Sequence, residues 1–166
     1  MTGDLRIHPD RLTEKGTLFE GRFRPGDLES LAVELASPEG ELRFRVHARL
    51  DESRRRVVSC IIEGFVFLTC QSSFETFRHE IAIDDRLVLV ATEEELPALE
   101  QESDREDFVV ADAPLAVRDL VAEAVILALP MVPRKPGAGP AAEESPAPGR
   151  ESPFAALAGI ARQKPK

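Results

Sequence analysis

Tryptophan and tyrosine are absent from this 166-residue chain, and nine phenylalanines are its whole aromatic supply. A core must therefore be assembled from Val, Leu, Ile, Ala and Phe, and a hydrophobic share of 43% is enough for one folded domain. Cysteine is scarce as well: Cys60 and Cys70 are the only two, too few for a disulfide framework. No apolar run reaches membrane-spanning length. The opening "MTGDLRIHPD" lacks the apolar stretch of a signal peptide. The expected compartment is the cytoplasm, with both thiols reduced.

Several catalytic signatures are missing too. There is no Walker loop, no G-x-S-x-G, no dinucleotide fingerprint and no H-E-x-x-H. Carboxylates are plentiful, but no arrangement singles out an acid/base pair. The residues point to a non-enzymatic protein with no cofactor and no small-molecule substrate.

What is present in quantity is negative charge, and it is uneven. The net charge is −9. Residues 1–60 balance 11 acidic against 11 basic side chains; residues 61–133 carry 16 against 4; residues 134–166 carry 3 against 6. An excess of 12 negative charges in the middle segment repels phosphate and suits a basic partner, of which ribosomal proteins are an obvious class.

The clearest local pattern is "ELRFRVHARLD". Leu42, Phe44, Val46, Ala48 and Leu50 alternate with Glu41, Arg43, Arg45, His47 and Arg49, which reads as a strand with one buried face. "DESRR" is a turn, and "RVVSCIIEGFVFLTC" a long strand with a bulge or bend at Gly64. "QSS" turns the chain again, and "FETFRHEIAIDDRLVLVA" is a third long strand that could break at Asp84-Asp85. Ahead of these, short strands flank a turn at Pro9, and Asp27 can cap a helix carrying Leu28, Leu31, Ala32 and Leu35, ended by "SPEG". After them come a short helix and an acidic loop in "TEEELPALEQESDRED", and a returning strand in "FVVA". A helix then follows with Asp112 as cap, Pro114 in its first turn and Val117, Leu120, Val121, Ala124, Leu127 and Ala128 on one face.

The expected fold is α+β: a curled, barrel-like antiparallel sheet with flanking helices in a single domain over residues 1–133. Residues 134–151, rich in Pro, Gly and Ala, form a disordered linker. Residues 152–166 form a short amphipathic docking tail, a C-terminal helix with Phe154, Leu157 and Ile160 on one stripe.

Four stretches are candidate sites. "TCQSSFETFR" could be a zinc or redox knuckle, but its C-x-x-C partner position holds Ser73, no second thiolate pair exists, and zinc prefers four N or S ligands. It reads instead as a turn, although His79 across the hairpin could serve a catalytic thiol. Arg43, Arg45, Arg49, Arg54, Arg55 and Arg56 are the strongest basic feature: a solvated strand face, or alternatively an RNA-binding one, though without exposed aromatics among them to stack bases. The acidic run containing Glu93, Glu94, Glu95, Glu102 and Asp104 is a solvated loop or a grip for a basic partner. Pro153, Phe154 and Leu157 belong to the tail, which can dock on its own domain or on a partner.

The order of these motifs resembles the YceD family, the large ribosomal RNA subunit accumulation proteins. The similarity covers roughly residues 57–166. It lies in "GFVFLTCQSSFETFRHEI", in the helix ending with Glu123, Leu127, Leu129, Pro130 and Pro133, and in the terminal "SPFAAL" where the family has N-P-F-x-x-L. The resemblance implies a role in the synthesis, processing or stability of large-subunit (23S) ribosomal RNA in bacteria or chloroplasts, with no catalytic mechanism attached. Its partner would be a large-subunit ribosomal protein or the ribosomal RNA precursor. Relatives commonly read C-x-R-C at the knuckle, with a further cysteine after the second proline. This chain keeps Cys70 but has Ser72 and Ser73 in place of the Arg and second Cys, and Arg134 and Lys135 follow Pro133. Its fold must hold without that thiol set.

Overall fold

The computed structural model describes residues 5–97 and 106–137. Contacts along the chain separate Met1–Lys135 from Pro136–Lys166, and every element below belongs to the first unit. The linker beyond Gly137 and the tail from residue 152 lie outside the described residues.

The fold class is α+β. Five strands form one sheet in the order β2-β3-β4-β5-β6, and two form a separate ribbon, β1-β7. The strands are β1 (Arg6–Ile7), β2 (Thr17–Phe23), β3 (Ser37–Leu50), β4 (Arg56–Thr69), β5 (Thr76–Val90), β6 (Asp107–Val110) and β7 (Leu115–Ala116). The helices are α1 (Glu29–Ala32) and α2 (Val117–Ala128).

Hairpins join β3, β4 and β5 as expected, and pairing partners set the two faces. Ala48, Val46, Phe44 and Leu42 lie opposite Val58, Cys60, Ile62 and Gly64, which in turn lie opposite Leu87, Asp85, Ile83 and Ile81. This parity collects most of the buried side chains on one face, with Leu42, Val46, Ala48, Val58 and Ile62 fully inaccessible. Phe23 stacks on Phe44 at 4.7 Å between ring centres. Burying each such side chain stabilises the fold by about 1.5–3 kcal/mol. The other face carries Arg43, Arg45, His47 and Arg49.

The structure changes several local expectations. The sheet is not closed into a barrel: β2 and β6 are its two ends and do not pair. Nor is it wholly antiparallel, because β6 runs parallel to β5, with Leu87 opposite Asp107 and Val90 opposite Val110. Parallel neighbours need a crossover of about a dozen residues or more, and residues 91–106 supply one. β5 runs unbroken through Asp84 and Asp85, which pair with Ile61 and Cys60. "SPEG" does not end a helix but opens β3, where the register slips between Ser37 and Glu41. Gly64 faces that irregularity: at its φ of 154° an added Cβ would come within 1.9 Å of the Glu41 carbonyl oxygen.

Both helices are shorter than the sequence suggests. α1 is one turn with Leu28 at its N-cap; Asp27 makes no capping bond because it belongs to a preceding 3-10 turn, Pro25–Asp27. α2 starts at Val117 with Ala116 as N-cap, since Leu115 and Ala116 are drawn off to pair with β1. Its buried side chains are Val117, Val121, Ala122 and Val125, while Leu127 is 80% exposed. The helix is thus rotated from its expected face, because it packs against α1 as well as the sheet. Leu28 and Leu31 are buried, and the Arg118 guanidinium donates to the Asp27 carbonyl.

Candidate functional site

The β4–β5 turn keeps the shape of a knuckle around one thiol. The Phe74 amide donates to the Cys70 carbonyl and the Cys70 amide to the Glu75 carbonyl, both at 2.8 Å, and Phe74 takes a left-handed φ of 57°. The chain returns to this turn after α2: the Gln71 amide donates to the Pro133 carbonyl at 2.9 Å, and Lys135 Nζ pairs with Glu75 at 3.2 Å. Cys70 Sγ is inaccessible; it lies 3.2 Å from Ser72 Oγ and accepts from the Lys135 amide at 3.4 Å. The Ser72 hydroxyl first, then the Ser73 hydroxyl and the Lys135 and Ser73 amides, hold its pKa down to about 6 against the opposing effect of burial.

The turn thus gathers one thiol, two serine hydroxyls and two backbone amides. A zinc ion wants four N or S ligands and does not fit this set. His79 does not reach it: the register places His79 opposite Val66, roughly 13 Å along the strand from the turn. Cys60 is different again. It faces the core, and burial, with Asp85 adding to it, pushes its thiol up to about 12.

The six arginines of the basic stretch do not share one surface. Arg43, Arg45 and Arg49 project from the outer face of β3. Arg45 is bound to Glu20, and Arg43 lies 3.5 Å from Glu41, which also faces Arg22 at 3.6 Å. Arg54 sits in the β3–β4 turn with a φ of 60°. Arg55 donates to Asp51 at 2.8 Å and Glu106 at 3.1 Å, and Arg56 pairs with Asp10 at 3.3 Å. Sequence reasoning missed an aromatic on the outer face: the Phe65 ring lies there, with the Arg78 guanidinium stacked 3.6 Å from its centre. The strand parity of Phe65, odd like Ile61 and Glu63, was the available signal.

Asp51 and Glu106 bracket Arg55 and Arg86 in a four-charge cluster. Arg86 lies 3.7 Å from Asp51 and 3.1 Å from Glu106, the latter without hydrogen-bond alignment. Burial pushes the Asp51 carboxyl up, but the Arg55 amide and guanidinium and the Ser53 amide together outweigh it and hold it below the usual range.

Of the acidic candidates, Glu93, Glu94 and Glu95 form a 3-10 turn, and the Glu95 carboxylate accepts the Ala91 amide at 3.0 Å. Glu102, Asp104, Pro153, Phe154 and Leu157 lie outside the described residues.

A groove of about 460 Å³ runs between α2 and the β4-β5-β6 end of the sheet. Leu87, Leu89 and Val109 line it from the strands, and Leu120, Ala124 and Leu127 from the helix. Four carboxylates also line it: Asp85, Asp107, Asp119 and Glu123. Burial first, then Asp107 and Asp84, raise the Asp85 carboxyl above its ordinary value. The four acids span 38 sequence positions, which hid the cluster from sequence reading. Asp85 was the clue, because it shares strand parity with Leu87 and Leu89.

A family model described as "Large ribosomal RNA subunit accumulation protein YceD" matches residues 58–160. The chain belongs to the YceD family. The match to YceD begins in β4, so it includes the Cys70 turn, β5, the groove and α2, and leaves β1 to β3 outside. No solved structure gives a significant match. Among the described residues, no helix is long and apolar enough to cross a membrane.

Proposed function

We propose that this YceD-family chain is a non-catalytic cytoplasmic ribosome-biogenesis factor. It supports the accumulation of large-subunit ribosomal RNA by binding a basic ribosomal protein of that subunit. The family description supports the process. The observation that carries the partner class is charge: residues 61–133 hold 16 acidic against 4 basic side chains, and this field attracts cationic protein and repels RNA. Glu93, Glu94 and Glu95, with Glu102 and Asp104, supply part of it, and Pro153, Phe154 and Leu157 add a tethered contact that raises effective concentration.

The test is an affinity pull-down from lysate with the full chain and with a Phe154→Asp, Leu157→Asp variant, each with and without RNase. Basic large-subunit proteins retained after RNase support the reading, and their loss in the variant puts part of the contact in the tail. Retention only with intact RNA overturns it.

One observation favours a second reading, direct RNA binding: Arg43, Arg45 and Arg49 share the outer sheet face with the Arg78–Phe65 stack. Carboxylates on that face offset it, since Glu20 and Glu41 engage Arg45 and Arg43. RNA affinity that falls steeply with salt, and is lost in Arg45→Glu, would favour the second reading.

A further inference from the structure

We infer that the groove between α2 and the β4-β5-β6 end of the sheet is the seat for an amphipathic, Lys/Arg-bearing polypeptide segment of the partner. Two features fix that chemistry. Most of the lining is apolar, and α2 leaves Leu127 80% exposed at the groove, an anchor not covered by the described residues. Among the described residues, every charged side chain lining the groove is acidic: Asp85, Asp107, Asp119 and Glu123.

A largely apolar lining whose described charges are all acidic selects against other occupants. Phosphate-bearing RNA is repelled. A neutral apolar segment fills the floor but leaves the carboxylates uncompensated. A segment with two or three apolar side chains flanked by cations satisfies both. The helix-in-groove mode of peptide recognition has this form. The inference rests on the protein-partner reading above and gives it a site.

The experiment uses the full chain with labelled Leu and Val methyl groups and a synthetic twelve-residue peptide with leucines at helical spacing among lysines. The expected result is movement of the Leu120, Leu127 and Val109 methyl signals. Affinity should fall with salt. It should also fall about tenfold in Leu127→Ser and in Glu123→Lys, the scale of losing one anchor or one charge contact. Both side chains are exposed, so both variants should fold, while Glu39→Lys, an exposed residue at the start of β3 and outside the groove, should bind as the parent does. Equal affinity in all variants, or unmoved methyls, overturns the inference. Methyl shifts that depend on protein concentration alone would assign the groove to a second copy of this chain and also overturn it. So would shifts produced without peptide by Phe154→Asp, which would give the groove to the chain's own tail. If Leu127→Ser still retains basic large-subunit proteins in the pull-down, the groove fails and the partner reading stands. If the peptide binds here but no such protein is retained after RNase, the partner reading fails alone.

Discussion

The backbone amide of Lys135 donates to the sulfur of Cys70, 65 positions earlier in the sequence, at 3.4 Å. One thiol therefore links the β4–β5 turn to the chain that leaves α2. Its donors stabilise a thiolate, with a pKa of about 6 against an ordinary 9.0. The ultraviolet thiolate absorbance of the folded protein should titrate with a midpoint near 6 and disappear in Cys70→Ala. Because the folded value is depressed, the stabilisation is complete above pH 9 and is lost as pH falls toward 6. Urea unfolding of parent and variant across that range checks it: a constant difference would refute the assignment.

Gly64→Ala should destabilise the protein by about 1–3 kcal/mol. The new methyl group would meet the Glu41 carbonyl oxygen at 1.9 Å, and φ of 154° is unfavourable for any side chain. Thermal unfolding measures the loss, and an unchanged midpoint would mean that β3 is not held there.

Val125→Ala and Leu127→Ala should differ sharply although only one residue separates them. Val125 is fully buried and its truncation should cost about 2 kcal/mol from lost burial and the cavity left behind. Leu127 is 80% exposed, and its truncation should stay within about 0.5 kcal/mol. The reverse order in denaturant midpoints would restore the helix face expected from periodicity.

Asp51→Asn should lower the thermal midpoint by several degrees at neutral pH. The carboxylate accepts from the Ser53 and Arg55 amides at 2.9 Å each and from Arg55 Nε at 2.8 Å. Its pKa is held below the ordinary 3.8, so its contribution is present above that value and vanishes as pH falls through the lowered one. Parent and variant should converge only in strong acid; a gap that closes near neutrality would point to another group.

Period-two alternation made the three long strands legible, because one face of β3, β4 and β5 must be buried and the other wetted. The Cys70 turn was also legible, since Ser73 breaks the C-x-x-C spacing. The rest depended on which elements meet. Periodicity on α2 gave a broad apolar face but could not tell whether α1 or solvent would take Leu127. The direction of β6 depends on how residues 91–106 cross, which no local pattern encodes. The groove was least legible, because its four carboxylates converge only after β6 lies beside β5.

The ribbon of β1 and β7 bears on how the chain matures. Arg6 pairs with Ala116 and Ile7 with Leu115, and the Val117 amide donates to the Leu5 carbonyl. The β3-β4-β5 meander closes through neighbours in sequence and can form while synthesis continues. Ile7, only 1% exposed in the finished fold, stays unpaired until residues about a hundred positions later have emerged. A nascent chain halted before Leu115 therefore carries a finished meander and an unclaimed N-terminal strand. Protease sensitivity near residue 7 should end only once the segment that begins α2 has been translated.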